Sequence, residues 1–542
     1  MKYKNTLKKT QECDVFVIGA GIAGTISAIQ ASINGSKVII SSNSNILSGS
    51  SFYPGTWGLG MIGPKNKEDE KDLIETIIKV GCNVVDKELV KTLVENINPS
   101  FEFLNKLGVK LKRAENENQK EFIPCFDYKK RNWNGLVASS AKEVFTKLLS
   151  NKNILQYPYC EVIDIIKENN EVRGVVLINS KENLEFISCK SVIIASGGIG
   201  GLFKYRLNTN DIIGSGQALA LKAGCKLTNL EFMQMMPGYV SPRYKTIFNE
   251  KTFKFIEATN SKNENVFLNI DKLKEKLETR STYGPFTSRL ASKDIDYAIF
   301  KEFLKDEKGI KVRYKEEIKN NPPEFIKVYF EWLKENKNLT IDDRINIGIF
   351  FHAANGGIYI NSKAETGIHG LYAAGECTGG MHGADRIGGL STVNGLVFGR
   401  IAGKNASNYA KKDNIKILNE VDFEVLKIKN SKELIEKIQE IMFNHAMIEK
   451  NENGIKEAFK ALKNIENSIE YENIMGNKDL KYSYRLLNNL LLAKAIMKSI
   501  DLRKESRGSH YRSDFKETKD DMNKRIVIQF NNKINSYFIE EW

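Results

Sequence analysis

The 542-residue chain has no cysteine pair at CxxC spacing. Its seven cysteines, Cys13, Cys82, Cys125, Cys160, Cys189, Cys225 and Cys377, are scattered and odd in number. That pattern argues against a zinc or iron–sulfur cage built from this chain, so no metal site is expected. Free thiols in a reducing cytoplasm fit it best. No apolar run approaches the roughly 18 residues of a membrane span, so none is expected. The N-terminus is basic but has no apolar stretch before a small-residue cleavage site, which argues against a secretory signal. There is no Arg-rich block, no zinc-finger spacing and no basic–aromatic RNA motif. The net charge of +14, from 81 basic and 67 acidic residues, therefore reads as a Lys-rich solvated surface that attracts anions. Nucleic-acid binding is not expected.

What is present is ordinary for a soluble globular chain: 41% hydrophobic and 27% charged residues. At roughly 150 residues per domain the length allows about three to four domains. Residues 14–18 form a short apolar run, followed at once by Gly19-Ala20-Gly21-Ile22-Ala23-Gly24. Apolar residues at helical spacing follow through Asn34, then Gly35 as a helix end, then a second strand at Lys37–Ile40. This is the first βαβ unit of a dinucleotide fold. Gly19 permits the tight turn, Gly21 lets the backbone approach a pyrophosphate, and Gly24 lets helix and strand pack closely. The helix N-terminus offers N–H groups and partial positive charge to phosphates. The end of the second strand should carry an acid for ribose hydroxyls. Ser41 and Ser42 stand there instead, so that contact is expected to be weaker or shared with Asn43.

Further along, residues 71–107 and 138–150 read as helices. Residues 161–166, 172–178 and 190–195 read as strands, the first two joined by a turn through Glu168-Asn169-Asn170. From about 240 to 345 the composition shifts to Lys, Glu, Asn and aromatics, which reads as an insertion. Residues 413–505 read as strongly helical. Two more glycine clusters stand out, Ala195-Ser196-Gly197-Gly198 after a strand and Gly370-Leu371-Tyr372-Ala373-Ala374-Gly375-Glu376. With the first, they resemble the FAD-binding segments of two-dinucleotide flavoproteins.

Five further segments extend the likeness. His382-Gly383-Ala384-Asp385-Arg386-Ile387-Gly388-Gly389-Leu390-Ser391 resembles HGANRLGGNS, with Phe398-Gly399-Arg400 following. His352-Ala353-Ala354-Asn355-Gly356-Gly357 resembles HxxxGG, Leu230-Glu231-Phe232-Met233-Gln234 resembles MEFxQ, and Glu505–Asp514 resembles ESRGAHxRxD. On these the chain resembles the fumarate reductase, succinate dehydrogenase and L-aspartate oxidase flavoprotein family over nearly its whole length. The resemblance implies an α/β fold: a Rossmann-like FAD-binding domain (1–239 and 346–412), an inserted α+β capping domain (240–345) and a C-terminal helical domain (413–542). It implies FAD held by Gly19, Gly21, Gly24, Ser42, Ser50, Ser51, Ala195, Ser196, Gly197, Glu376 and Ser391. Glu376 would hold ribityl hydroxyls. His352 and Arg386 would bind a substrate carboxylate, for which Arg's planar fork is the matched donor. His510 and Arg512 would hold the C-terminal domain against the core.

Departures from the family pattern bear on the substrate. Met236 stands where the family has a histidine before proline, and Phe255–Lys262 lacks the Arg and glycines of the TExxRGEGG loop. Two groups for a second carboxylate are missing, and an unpartnered buried carboxylate is costly. The expected substrate is therefore not fumarate-like, for example a monocarboxylate with an apolar or amino-bearing tail. The alternative is that Lys254 or Arg243 substitutes. In Gly284–Asp294 both Arg289 and Lys293 are candidate proton carriers. No histidine occurs in Ser48–Tyr53, the position of covalent attachment in the respiratory branch, so FAD is expected to be non-covalent. Three readings follow: an FAD-dependent oxidoreductase acting on a small carboxylate or amino acid; the flavoprotein subunit of an electron-transfer complex with an iron–sulfur partner; or a flavin-binding protein with a degenerate active site.

Overall fold

Val15, Phe16 and Val17 are wholly buried at the centre of an eight-stranded sheet. The computed structural model describes residues 3–53, 59–113, 125–320, 322–473 and 476–540. The strand that carries the three, β1 (Tyr3–Ile18), is far longer than its apolar run. Its polar first half pairs antiparallel with Glu420–Val425, and its apolar second half lies between two parallel neighbours, β2 (Val38–Ser41) and β3 (Leu184–Ile194). A chain buried on both faces reads as a continuous apolar run, which is why only residues 14–18 announce themselves in sequence. Glu161–Glu168 and Glu171–Ile178 extend the sheet as an antiparallel hairpin. Its two-residue turn puts both Asn169 and Asn170 at positive φ, the conformation such a hairpin demands.

Helix α1 (Ile22–Ile33) follows β1 and packs along α2 (Leu390–Ala410). The contact face of α2 is Gly395, Gly399 and Gly403, spaced four apart and so on one side of the helix. A Cβ on Gly399 would lie 2.7 Å from the Ala23 carbonyl oxygen, and one on Gly403 2.4 Å from that of Ser27. The Ser27 hydroxyl bridges the gap, donating to the carbonyls of Ala23 and Gly399. This close approach sets the N-termini of two helices side by side.

A four-stranded sheet runs in the order β4 (Met233–Ser241), β5 (Ile345–Ala354), Ile310–Tyr314, Ile256–Thr259. The two strands that flank residues 242–344, β4 and β5, thus pair with each other in this sheet. The stretch 71–107 is not continuous: Lys67–Val80, Lys87–Glu95 and Ile97–Leu107 are separate helices. Cys82 and Asn83 at positive φ break the first from the second. In the C-terminal region Ser431–Ala446, Glu452–Asn467 and Leu480–Leu502 are helices. The chain then ends in a hairpin, Lys524–Asn531 with Lys533–Glu540, which joins Leu227–Thr228 in a five-stranded sheet.

Candidate active site

A cavity of about 470 Å³ runs from the end of β1 to the inserted sheet. Gly19, at φ +106°, makes the turn out of β1, and a Cβ there would lie 2.3 Å from the Ala195 carbonyl oxygen. Gly24 does not line the cavity. Its Cβ would lie 1.9 Å from the Gly19 carbonyl oxygen, so it serves helix–strand packing. Gly21 faces open space on the wall, with nothing closer than 3.7 Å to a Cβ. It is the N-cap of α1 and supplies no side-chain cap. Gly389 likewise caps α2 without a side chain, and Ser391 and Thr392 of that first turn line the cavity. Two helix N-termini with donors free for an anion therefore open on one space.

The other residues expected around a cofactor are also on this wall. Ser51 Oγ accepts the Ile22 N–H at 3.3 Å, and Ser50 Oγ accepts from Asn208 at 3.4 Å. Ala195, Ser196 and Gly197 follow β3, and the Ser196 hydroxyl is buried without a partner among the described residues. Glu376 accepts the Ala354 N–H at 3.1 Å, and burial pushes its carboxyl up. Ser42 is at the wall with its hydroxyl 3.2 Å from that of Ser48. An acid does stand near the end of β2, contributed by a distant part of the chain. Asp211 lines the same end of the cavity, held by the Ser44 hydroxyl at 3.0 Å and, through its carbonyl, by Asn43. Its carboxylate could take ribose hydroxyls. No local sequence signal marks it, because the fold alone brings residue 211 beside residue 44. Open glycine-capped helix ends, an orphaned buried hydroxyl and a carboxylate at the strand end fit FAD.

At the opposite end stand His352 and Arg386. The β4–β5 ladder pairs Gln234 with Ala353 and Met235 with Phe351, leaving His352 unpaired in a bulge. A bulge re-aims a side chain, and His352 is on the cavity wall. Burial, reinforced by the charge of Arg386, drives its pKa down to about 3, so the imidazole is neutral. Among the described residues Arg386 gives one hydrogen bond, from Nη2 to Gln234 Oε1 at 2.7 Å. Gln234 thus holds the Arg386 guanidinium, a contact that its place in the sequence does not disclose. Arg386 is not paired with its neighbour Asp385, which instead takes Arg289 Nε at 2.7 Å and the Thr287 hydroxyl at 2.8 Å.

Arg289 and Lys293, expected as proton carriers, do not line the cavity. Arg289 is spent on Asp385 and lies over the Phe126 ring, and Lys293 opens the helix Lys293–Lys305. Arg243 and Lys254, considered for a second carboxylate, are exposed and also off the wall. Arg243 Nε donates to the Lys337 carbonyl, and Lys254 Nζ lies over the Phe255 ring. Met236, by contrast, is on the wall, buried with Leu207 and Phe350. His510 is buried beside the Arg503 carbonyl, and Arg512 grips Asp514 and the Ile500 carbonyl. Among the described residues no group of three or more His, Cys, Asp or Glu could hold a metal ion. No helix among them is long and apolar enough to cross a membrane.

The fold and cavity define the class, a dinucleotide-binding protein whose cavity continues to His352 and Arg386. Family models narrow it: residues 14–392 match the FAD binding domain, and residues 435–536 match the fumarate reductase flavoprotein C-term. The chain is 27% identical to a subunit of the fumarate reductase (CoM/CoB) of Methanothermobacter marburgensis, over 97% of this chain and 98% of that one. It is 25% identical to the L-aspartate oxidase of Acinetobacter baylyi, over 96% and 97%. The FrdA chain of E. coli quinol fumarate reductase shares the fold, with a TM-score of 0.78 at 21% identity, over 98% of this chain and 97% of that one. The chain belongs to the FAD-dependent oxidoreductases of the fumarate reductase and L-aspartate oxidase flavoprotein family.

Proposed function

We propose that this flavoprotein oxidises or reduces a small acid at the carbon next to its carboxylate, and that the acid is not fumarate. The observation that carries the reading is the bulged, neutral His352 beside Arg386 on the wall of the FAD cavity. Bound FAD supplies a two-electron centre that takes or gives a hydride. Arg386 supplies the charge for one carboxylate, and neutral His352 can add a donor without a second charge. Gln234 fixes the guanidinium by its 2.7 Å bond. Met236 makes the far wall apolar and helps keep water from the reacting carbon. The inserted region would close over the substrate, with Arg289 and Asp385 tying it to the loop that holds Arg386.

FAD is held without a covalent bond in this reading. Among the described residues that line the cavity His352 is the one histidine, and it faces the carboxylate end. Acid precipitation should leave the flavin in the supernatant. The substrate reading is tested by anaerobic mixing of holoprotein with a panel of small acids, in both redox states. Some member must change the flavin spectrum, and Arg386→Lys must shift that change to about 10- to 100-fold higher acid concentration while FAD stays bound.

A multi-subunit setting has its own support, the near full-length match to a relative that is one subunit of a fumarate reductase. Iron–sulfur absorbance in a complex purified from the native host would establish it.

A further inference from the structure

The charges on the cavity wall are unevenly chosen. Arg386 is the one cation among the described lining residues, and Asp211, Glu250 and Glu376 are the carboxylates. Asp211 belongs to the β2 end and is engaged by Ser44. Glu376 is engaged by the Ala354 N–H. Glu250 is different. It opens the short helix Glu250–Phe255 of the inserted region and is half-buried, with no hydrogen bond or ion pair among the described residues. The helix cap beside it is made by Asn249, which accepts the Lys251 N–H, so Glu250 has no capping duty.

Arg280 is buried and within electrostatic reach of Glu250, but its hydrogen bonds go elsewhere. Its Nε and Nη2 hold Asp296 at 2.6 and 2.9 Å, and Nη1 and Nη2 also donate to the carbonyls of Tyr283 and Gly284. Glu250 is thus a carboxylate on a cavity wall without a matched partner. A half-buried anion with no directly paired cation costs free energy that a ligand cation in contact with it would recover.

Glu250 and Arg386 face the same chamber. Between them lies Cys125, whose Sγ accepts the Gly284 N–H at 3.1 Å and whose carbonyl accepts the Gly388 N–H at 3.1 Å. Its thiol is within electrostatic reach of both Glu250 and Arg386. The lining residues Met236, Ile247, Gly284 and Pro285 add no charge to the cavity wall. A dicarboxylate seated on Arg386 would turn its second charge toward an apolar surface and an anion. A ligand with a positive tail would meet the reverse.

We propose that Glu250 is a specificity residue that recognises a cationic, amine-bearing tail, so that the substrate is a monocarboxylate with an ammonium at its far end rather than a dicarboxylate. The inference rests on the assignment of Arg386 as the carboxylate anchor. It concerns binding and adds no chemical step.

The test uses oxidised holoprotein and two ligand series, read by the shift of the flavin spectrum. One series is 4-aminobutyrate, pentanoate and glutarate; the other is 3-aminopropionate, butyrate and succinate. Within a series only the terminal group changes, from ammonium to methyl to carboxylate. In at least one series the amino acid should bind at least about tenfold more tightly than its methyl analogue, and the dicarboxylate most weakly. Glu250→Gln should remove the ammonium preference with FAD retained, and Glu250→Lys should reverse it in favour of the dicarboxylate. Tightest binding of a dicarboxylate to the unmodified protein would overturn the proposal, as would an ammonium preference that survives Glu250→Gln. The underlying anchor fails separately: if no member binds, or if Arg386→Lys leaves every affinity unchanged, Arg386 does not hold the carboxylate.

Discussion

Arg289 and Asp385 form an ion pair of 2.7 Å between the inserted region and the loop that carries Arg386. The pair has two consequences. It uses the guanidinium that the sequence offered as a proton carrier, and it occupies the carboxylate that would otherwise quench Arg386. Among the described residues Arg386 is then left to the cavity with a hydrogen bond to the neutral Gln234 amide and with the buried Glu376 carboxyl within electrostatic reach.

Arg386→Lys should weaken carboxylate binding about 10- to 100-fold, because an ammonium cannot reproduce the planar fork. FAD content should not change. Titration of a carboxylate against the flavin absorbance gives both numbers, and an unchanged affinity would sink the anchor assignment.

A pH effect follows from Asp385. Burial pushes its carboxyl up to about 6, although Arg289 and Thr287 pull the other way. Above that pH the acid is ionised and holds Arg289; below it the acid is neutral and the tie weakens. Activity should fall through an inflection near pH 6 on acidification, and Asp385→Asn should lack that inflection. His352 contributes no inflection in this range, since its pKa lies at about 3. A profile identical in both proteins would contradict the tie.

The glycines of the first turn should separate by phenotype. Gly24→Ala drives a methyl to within 1.9 Å of the Gly19 carbonyl oxygen and should lower the melting temperature of the FAD-free protein by several degrees, the cost of overpacking being about 1–3 kcal/mol or more. Gly21→Ala meets nothing closer than 3.7 Å, so FAD-free stability should hold while FAD affinity falls. Equal loss of stability in both variants would refute this division.

Asp211→Asn should weaken FAD binding about tenfold through loss of a charge-assisted hydrogen bond. At saturating FAD the substrate affinity should be unaltered. Calorimetric titration of the FAD-free protein decides the first point, and a wild-type FAD affinity would return the ribose contact to Ser42 and Asn43.

The parts of this molecule that sequence makes legible are those whose geometry is local. Gly19, Gly21 and Gly24 are read from one turn, and the two-residue turn at Asn169-Asn170 is read from its residues. Parts set by pairing across the fold escape. Nothing near His352 in sequence signals the bulge, since that depends on how Gln234 and Met235 register against β5. Asp211 and Gln234 gain their roles from neighbours 167 and 152 residues away. Arg289 and Lys293 are candidates by chemical type within a segment that departs from the family pattern, and type does not say which way a side chain points. The hairpin Lys524–Glu540 escapes because its alternation is broken by polar residues on a partly exposed edge.

The central claim is that one carboxylate is anchored by Arg386 and that the far wall is not built for a second. The most direct measurement is anaerobic reduction of the holoprotein, addition of fumarate, and observation of the visible flavin band. The account predicts that the flavin stays bleached. Rapid return of the oxidised spectrum would contradict it, showing that a dicarboxylate is accommodated against Met236 and Glu250.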